Sequence, residues 1–358
     1  MSRTLETIKP SVRALRAYTL SPDRASVKIN QNENPFDAPQ AIKEETLRRL
    51  ENRSWSRYPD FVPASLNERL STFAQWNREG VLVGNGSNEL IQALLMVTIS
   101  AGKKVLIAEP TFALYRQVTS ILGGEVLSVP LTDEFQFDVP ALRQSIKTNQ
   151  PDVLILCSPN NPTGCVISDS DLKSLLNMAP GLVVIDEAYH EFSNHSVVPL
   201  LEQFENLVVL RTFSKAMALA AFRVGYLLGA PGLVTEVRKA VLPYNLNAFS
   251  QAVAEVAIEM YESELAPLVK TIIAERDRLH TAIASIRGFV PVASHANFMI
   301  IRGSDEPKQI FQRLLEGDIL IRDVSSYPML SQYFRVSVGT SDENDLLIGA
   351  LRLMAEDK

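Results

Sequence analysis

The sequence predicts an α/β fold: a large, mostly parallel sheet flanked by helices, then a smaller α/β unit. Short runs rich in Val, Ile and Leu recur up to about Ala230 and alternate with amphipathic stretches, which is the order of strands and crossover helices. The runs are apolar almost throughout rather than at every second position. Both faces of such strands are buried, as they are in parallel sheets. With 358 residues, 46% of them hydrophobic, the chain has enough apolar surface for more than one core.

Taken in order, the first 35 residues contain Pro10 and Pro22 and show no clear period, so residues 1–35 read as an arm that packs on the rest. Residues 36–245 read as the large domain. Strands are expected at VLVG (81–84), KVLIAEP (104–110), DVLILCSP (152–159), LVVIDEAY (182–189), LVVLRTFS (207–214) and VGYLLG (224–229). Stretches such as FALYRQVTSIL, VPALRQSIK and DLKSLLNMA carry the helical period between them. Residues 246–358 read as the small domain, which opens with long helical segments over about 246–286. Strands near NFMIIRG and FRVSVG and helices near PKQIFQRLLEG and SDENDLLIGALRLMA follow.

Composition narrows the function. A net charge of −6 with both signs interspersed offers no basic face for nucleic acid and no polybasic tract for a lipid surface. Cys157 and Cys165 flank a turn and never pair with the four histidines at a zinc spacing, so no metal site is expected. No signal-like start and no apolar run of about 18 residues is present, so a cytoplasmic protein is expected.

In an open parallel sheet, ligands collect at the carboxyl ends of the strands. Polar residues here cluster at those ends: Gly86, Ser87 and Asn88 after VLV, Asn160 and Asn161 after VLILCSP, Asp186 and Tyr189 in LVVIDEAY, Ser214 and Lys215 after LVVLRTF. Asp186 follows three apolar residues and needs a cation in the crevice, because an unpaired buried carboxylate is costly. A protonated pyridine nitrogen would serve. Lys215 can form a Schiff base with an aldehyde and, once free, move protons. The turn into the helix at Ser87 offers backbone N–H groups to a phosphate, with Ser214 and Arg223 able to add hydrogen bonds. Together these parts describe a pyridoxal 5'-phosphate site. Taken singly, Asp186 would be a capping or structural carboxylate, Lys215 a surface lysine and Asn161 a turn residue. Their coincidence at strand ends is what overturns those readings.

SPNNPTG, DEAYHEF, TFSKAMALAAFRVGY and FRVSVGT, in that order, resemble the signature blocks of the fold type I aminotransferases. NENPF, SRYPD, GNGSNELI, PTFALYR and LIRDVSSYP are similar to the histidinol-phosphate branch of that family, which serves histidine biosynthesis with glutamate as amino donor. The resemblance implies Lys215 as covalent anchor, Asp186 on the pyridinium nitrogen, and Tyr189 and Asn161 on the ring oxygen. It further implies Phe112 stacked on the ring, where relatives commonly carry tyrosine, and Ser87, Asn88, Ser214, Arg223 and a second subunit's Tyr58 around the phosphate. Arg335 would hold a substrate carboxylate and Arg322 a substrate phosphate, with Tyr18 and Asn32 completing the pocket of a homodimer with shared sites. An aromatic amino-acid aminotransferase, a pyridoxal-phosphate lyase acting on a phosphorylated amino acid and a non-catalytic cofactor-binding module remain as alternatives.

Overall fold

The computed structural model describes residues 3–15, 17 and 22–356. Their strands are β1 (Val27–Lys28), β2 (Val81–Gly84), β3 (Lys104–Glu109), β4 (Glu125–Pro130), β5 (Val153–Cys157), β6 (Leu182–Asp186), β7 (Leu207–Thr212), β8 (Gly225–Leu228), β9 (Phe289–Pro291), β10 (Phe298–Gly303), β11 (Ile319–Leu320), β12 (Arg322–Asp323) and β13 (Tyr333–Ser337). The large sheet has the order β2-β8-β7-β6-β5-β3-β4, and β8 alone runs against its neighbours.

Alternate residues explain the continuous apolar runs. Leu154, Leu156, Val183, Ile185, Leu207 and Val209 enter the core on one face of the sheet. Val153, Ile155, Val184, Val208 and Leu210 enter the core on the other. Each face therefore needs its own layer of helices. Leu90, Leu94 and Leu95 of the helix Ser87–Thr98 help cover the second face, while Leu66 and Leu70 of Ala64–Ala74 belong to the first. Several helices start where a side chain accepts a backbone N–H: Asp138 from Ala141, Ser168 from Asp171 and Asn247 from Ser250.

Strand β4 is absent from the strands that the sequence announces. It lies at the edge of the sheet and only its Val129 is buried, so EVLSVP lacks the continuous apolar signature of its neighbours. The small sheet, β12-β13-β10-β9, is antiparallel. Its core takes Leu279 and Ile283 from the helix Ala266–Ala284, whereas Val253, Ala254, Val256 and Ala257 of the preceding helix Ala248–Glu259 stay in the core of the large sheet. Leu265 and Leu268 still pack on the core of the large sheet, so the handover between the two cores falls within the helix Ala266–Ala284, past the π-turn Tyr261–Leu265. Part of the N-terminal arm joins the small unit, because β1 pairs in parallel with β11.

Candidate active site

Chain order reverses between β3 and β5. Strands β5, β6 and β7 follow one another to one side, and β4 lies beyond β3 on the other. A crevice opens at such a switch point. Register sharpens it: Cys157 lies opposite Asp186 and Asp186 opposite Leu210, so the loops after β5, β6 and β7 leave the sheet at one level. A cavity of about 270 Å³ occupies this place and reaches the small sheet. Ser87, Asn88, Phe112, Asn161, Asp186, Tyr189, Ser214, Lys215, Arg223, Asn32, Arg322 and Arg335 all line it, as the sequence reading expects.

Asp186 is 3% exposed. Its Oδ2 accepts from the Tyr115 hydroxyl at 2.6 Å and its Oδ1 from the Ala188 N–H at 3.1 Å. Neither donor is a cation. Desolvation therefore lifts the carboxyl to about 6, with the Tyr115 hydrogen bond working in the opposite direction. The Lys215 Nζ donates to the Gln31 carbonyl at 3.0 Å and stands 5.8 Å from the centroid of the Tyr189 ring. Desolvation first, and then the neighbouring Arg335 charge, bring this lysine down to about 7. A substantial neutral fraction near neutral pH is what a nucleophilic or proton-moving amine requires.

Tyr189 receives hydrogen bonds at its hydroxyl from Asn32 Nδ2 at 3.1 Å and Asn161 Nδ2 at 3.5 Å. Burial pushes its phenol up. The loop bearing Asn161 is fixed by its neighbour Asn160, which donates to the Pro110 carbonyl at 2.9 Å and accepts from Thr111 at 2.8 Å. That staple joins the loops after β3 and β5, and so fixes Phe112 relative to Asn161.

At the other end, Gly86 caps the helix Ser87–Thr98 with φ 78°. A Cβ built there would come within 2.5 Å of the Arg223 Nη2, so glycine is what lets the guanidinium lie across the helix start. Arg223 donates to Ser214 Oγ at 3.0 Å and to the Ala220 carbonyl at 3.0 Å. Free helix N–H groups, two hydroxyls and a guanidinium converge on one spot, which is the equipment of a phosphate site.

On the small sheet, Arg322 and Arg335 are direct partners across β12 and β13. Residues opposed in this way present their side chains on one face, and like charges so placed disfavour each other. Arg335 is 7% exposed and donates to Asn161 Oδ1 at 2.6 Å and to the Asn30 carbonyl at 2.9 Å. An anion from outside would relieve the repulsion.

Among the described residues, one expected residue, Tyr58, does not line the cavity. Tyr18 lies outside the described residues. Tyr58 is 78% exposed and stacks on Tyr244 at 4.5 Å between ring centroids. Tyr115 and the Gln31 carbonyl are site groups that sequence reading missed. The block PTFALYR carried the signal for Tyr115, a tyrosine one helical turn beyond Phe112, but a buried phenol in an amphipathic stretch reads as core.

The cavity suits pyridoxal 5'-phosphate on its own chemistry: a lysine of depressed basicity, a buried acid with no cation on it, and a phosphate cradle from which a Cβ is excluded. Comparison agrees. The family model for aminotransferase class I and II matches residues 25–351. The chain is 37% identical over 346 residues to a histidinol-phosphate aminotransferase of Chlorobium phaeovibrioides, covering 96% of each sequence. It is also 37% identical over 354 residues to one of Chlorobium phaeobacteroides, covering 98% of each. The fold is similar to a solved histidinol-phosphate aminotransferase of Sinorhizobium meliloti in complex with pyridoxal-5'-phosphate, with a TM-score of 0.88, 23% identity, and coverage of 100% of this chain and 98% of that one. With the ordered blocks, the fold and near-full-length similarity in agreement, this chain belongs to the class I and II aminotransferases.

Proposed function

We propose that the enzyme transfers an amino group between histidinol phosphate and 2-oxoglutarate, giving imidazole acetol phosphate and glutamate in histidine biosynthesis. The observation that carries the substrate is the pair Arg322 and Arg335, two guanidinium groups on one face of the small sheet beside Lys215 and Asp186. Glutamate brings two carboxylates and histidinol phosphate brings a phosphate, so both substrates supply an anion that a neutral aromatic amino acid lacks on its side chain.

Pyridoxal 5'-phosphate supplies an aldehyde to bind the amine and an electron-poor ring that acidifies the substrate's Cα–H. The chain's residues do the rest. Ser87, Asn88, Ser214 and Arg223 would hold the phosphate and Phe112 would cover the ring. Tyr189 and Asn161 would bind the ring oxygen, and Asp186 would keep a proton on the ring nitrogen. Lys215 would attach the cofactor and, when displaced by substrate, carry the Cα proton on its Nζ. Arg335 would orient a carboxylate and Arg322 a phosphate, with Asn32 supporting Tyr189 and Tyr18 closing the pocket.

Three units are proposed with this reading: an arm (1–35), a cofactor domain (36–245) and a small domain (246–358), whose first helix, Ala248–Glu259, packs in the core of the large sheet and whose arginines line the cavity. The working unit is a cytoplasmic homodimer in which Tyr58 reaches the other subunit's phosphate site. Exposed Trp55, Tyr58, Phe61 and Leu242 support an apolar partner surface, and Tyr58 and Phe61 both pack on Tyr244. Purified enzyme given histidinol phosphate and 2-oxoglutarate should form glutamate far faster than with phenylalanine as donor. Preference for phenylalanine would assign it to the aromatic aminotransferases instead, and release of carbon dioxide to the lyases.

A further inference from the structure

Tyr115 has no part in the reading above, yet it touches the residue on which that reading leans most. It is 0% exposed and lies in the first turn of the helix Leu114–Leu122, which leaves the end of β3. Its hydroxyl donates to Asp186 Oδ2 at 2.6 Å, one of the two hydrogen bonds that this carboxylate receives among the described residues. Its ring meets Phe112 edge to face, with centroids 5.6 Å apart and planes at 87°. Val184, Asp186 and Cys157 alternate onto the same side of the sheet as this helix, which is why a helical residue can reach the acid at all.

We propose that Tyr115 is the positioning residue of the cofactor ring: its hydroxyl aims the Asp186 carboxylate at the ring nitrogen, and its edge sets the Phe112 ring over the face. One side chain thus fixes both groups expected to grip the heterocycle. The alternative is a core tyrosine whose hydroxyl has merely found an acceptor, as buried tyrosines do. The two differ in one respect. A hydrogen bond that matters through Asp186 matters only when the ring has a nitrogen for Asp186 to hold, whereas a packing role is indifferent to it. Burial works against the charged form of Asp186, and the Tyr115 hydrogen bond is the largest of three influences that oppose this, ahead of the Ala188 N–H and the Lys215 charge. Removing the hydroxyl leaves the acid, among the described residues, with one hydrogen bond, from the Ala188 N–H.

The inference rests on Asp186 as partner of the cofactor nitrogen, so the experiment tests both. Apoprotein is titrated with pyridoxal phosphate and with its 1-deaza analogue, in which C–H replaces the ring nitrogen, and the ratio of dissociation constants is taken. Tyr115→Phe should lower the preference for the nitrogen-containing cofactor about tenfold or more, as loss of a hydrogen bond to a charged group does, with affinity for the analogue unchanged or improved. Asp186→Asn should abolish the preference. Should Asp186→Asn abolish it while Tyr115→Phe leaves it intact, or should Tyr115→Phe weaken both cofactors equally, Tyr115 is a packing residue and the proposal fails. A preference that survives Asp186→Asn defeats the reading of Asp186, and the proposal with it. If Tyr115→Phe does not fold, 3-fluorotyrosine at the same position, a stronger donor of nearly the same shape, should shift the ratio the opposite way; an unmoved ratio overturns the proposal.

Discussion

Lys215 and Asp186 sit where burial opposes their charge, and the two shifts have different consequences. The lysine falls to about 7 because protein replaces water around it and Arg335 stands near. A base with a lowered pKa is neutral above that value, so its nucleophilic form accumulates as pH rises through about 7 rather than through the ordinary lysine range. Covalent capture of pyridoxal phosphate by the apoprotein should therefore reach half its limiting rate near pH 7, followed by stopped-flow absorbance, and Lys215→Ala should show no capture. A rate that continues to climb past about pH 9, as an ordinary lysine would give, contradicts the assignment. The residues most legible in the sequence, Lys215, Asp186 and Asn161, were those at strand ends inside ordered blocks. Tyr115 was hidden because its role depends on a helix face meeting a strand face, which no spacing within one segment reveals.

Elements act on the site through where they begin and end. The helix Ser87–Thr98 offers its N-terminus only because Gly86 adopts φ 78° and leaves room for Arg223, itself held in the left-handed region at φ 54°. Gly86→Ala combines an unfavourable backbone with a contact of 2.5 Å, and the guanidinium must move away. The expected result is a ten- to hundredfold loss of affinity for pyridoxal phosphate, on the order of one charge-assisted hydrogen bond. Affinity for pyridoxal, which lacks the phosphate, should hardly change, and equilibrium dialysis with both ligands measures the difference. Equal losses would place the damage elsewhere. The buried strands announced themselves by unbroken apolar runs, while β4 did not; the short β9 and β12 are set by the strands that follow them, and β11 by β1, far away in sequence.

Across the whole molecule, two sheets contribute different chemistry to one cavity: the large sheet brings Asp186, Lys215 and the phosphate cradle, and the small sheet brings Arg322 and Arg335. The ordered blocks made this division readable, but the facing of Arg322 and Arg335 across β12 and β13 needed the antiparallel register. Exposed Tyr58, Phe61 and Tyr244 form an aromatic cluster that a second subunit would cover. Sedimentation should find twice the chain mass, and Tyr244→Arg should give monomers of reduced cofactor affinity. A fully active monomer would refute the shared site. Recognition of a substrate phosphate is the central claim, and the most direct measurement is the ratio of kcat/KM for histidinol phosphate to that for phenylalanine, in wild type and in Arg322→Ala. A guanidinium–phosphate contact is worth roughly 1.5 to 3 kcal/mol, so the variant should lose about ten- to a hundredfold or more with histidinol phosphate and much less with phenylalanine. The ratio should therefore fall at least about tenfold by the same conversion; an unchanged ratio would contradict the assignment of Arg322 to the substrate phosphate.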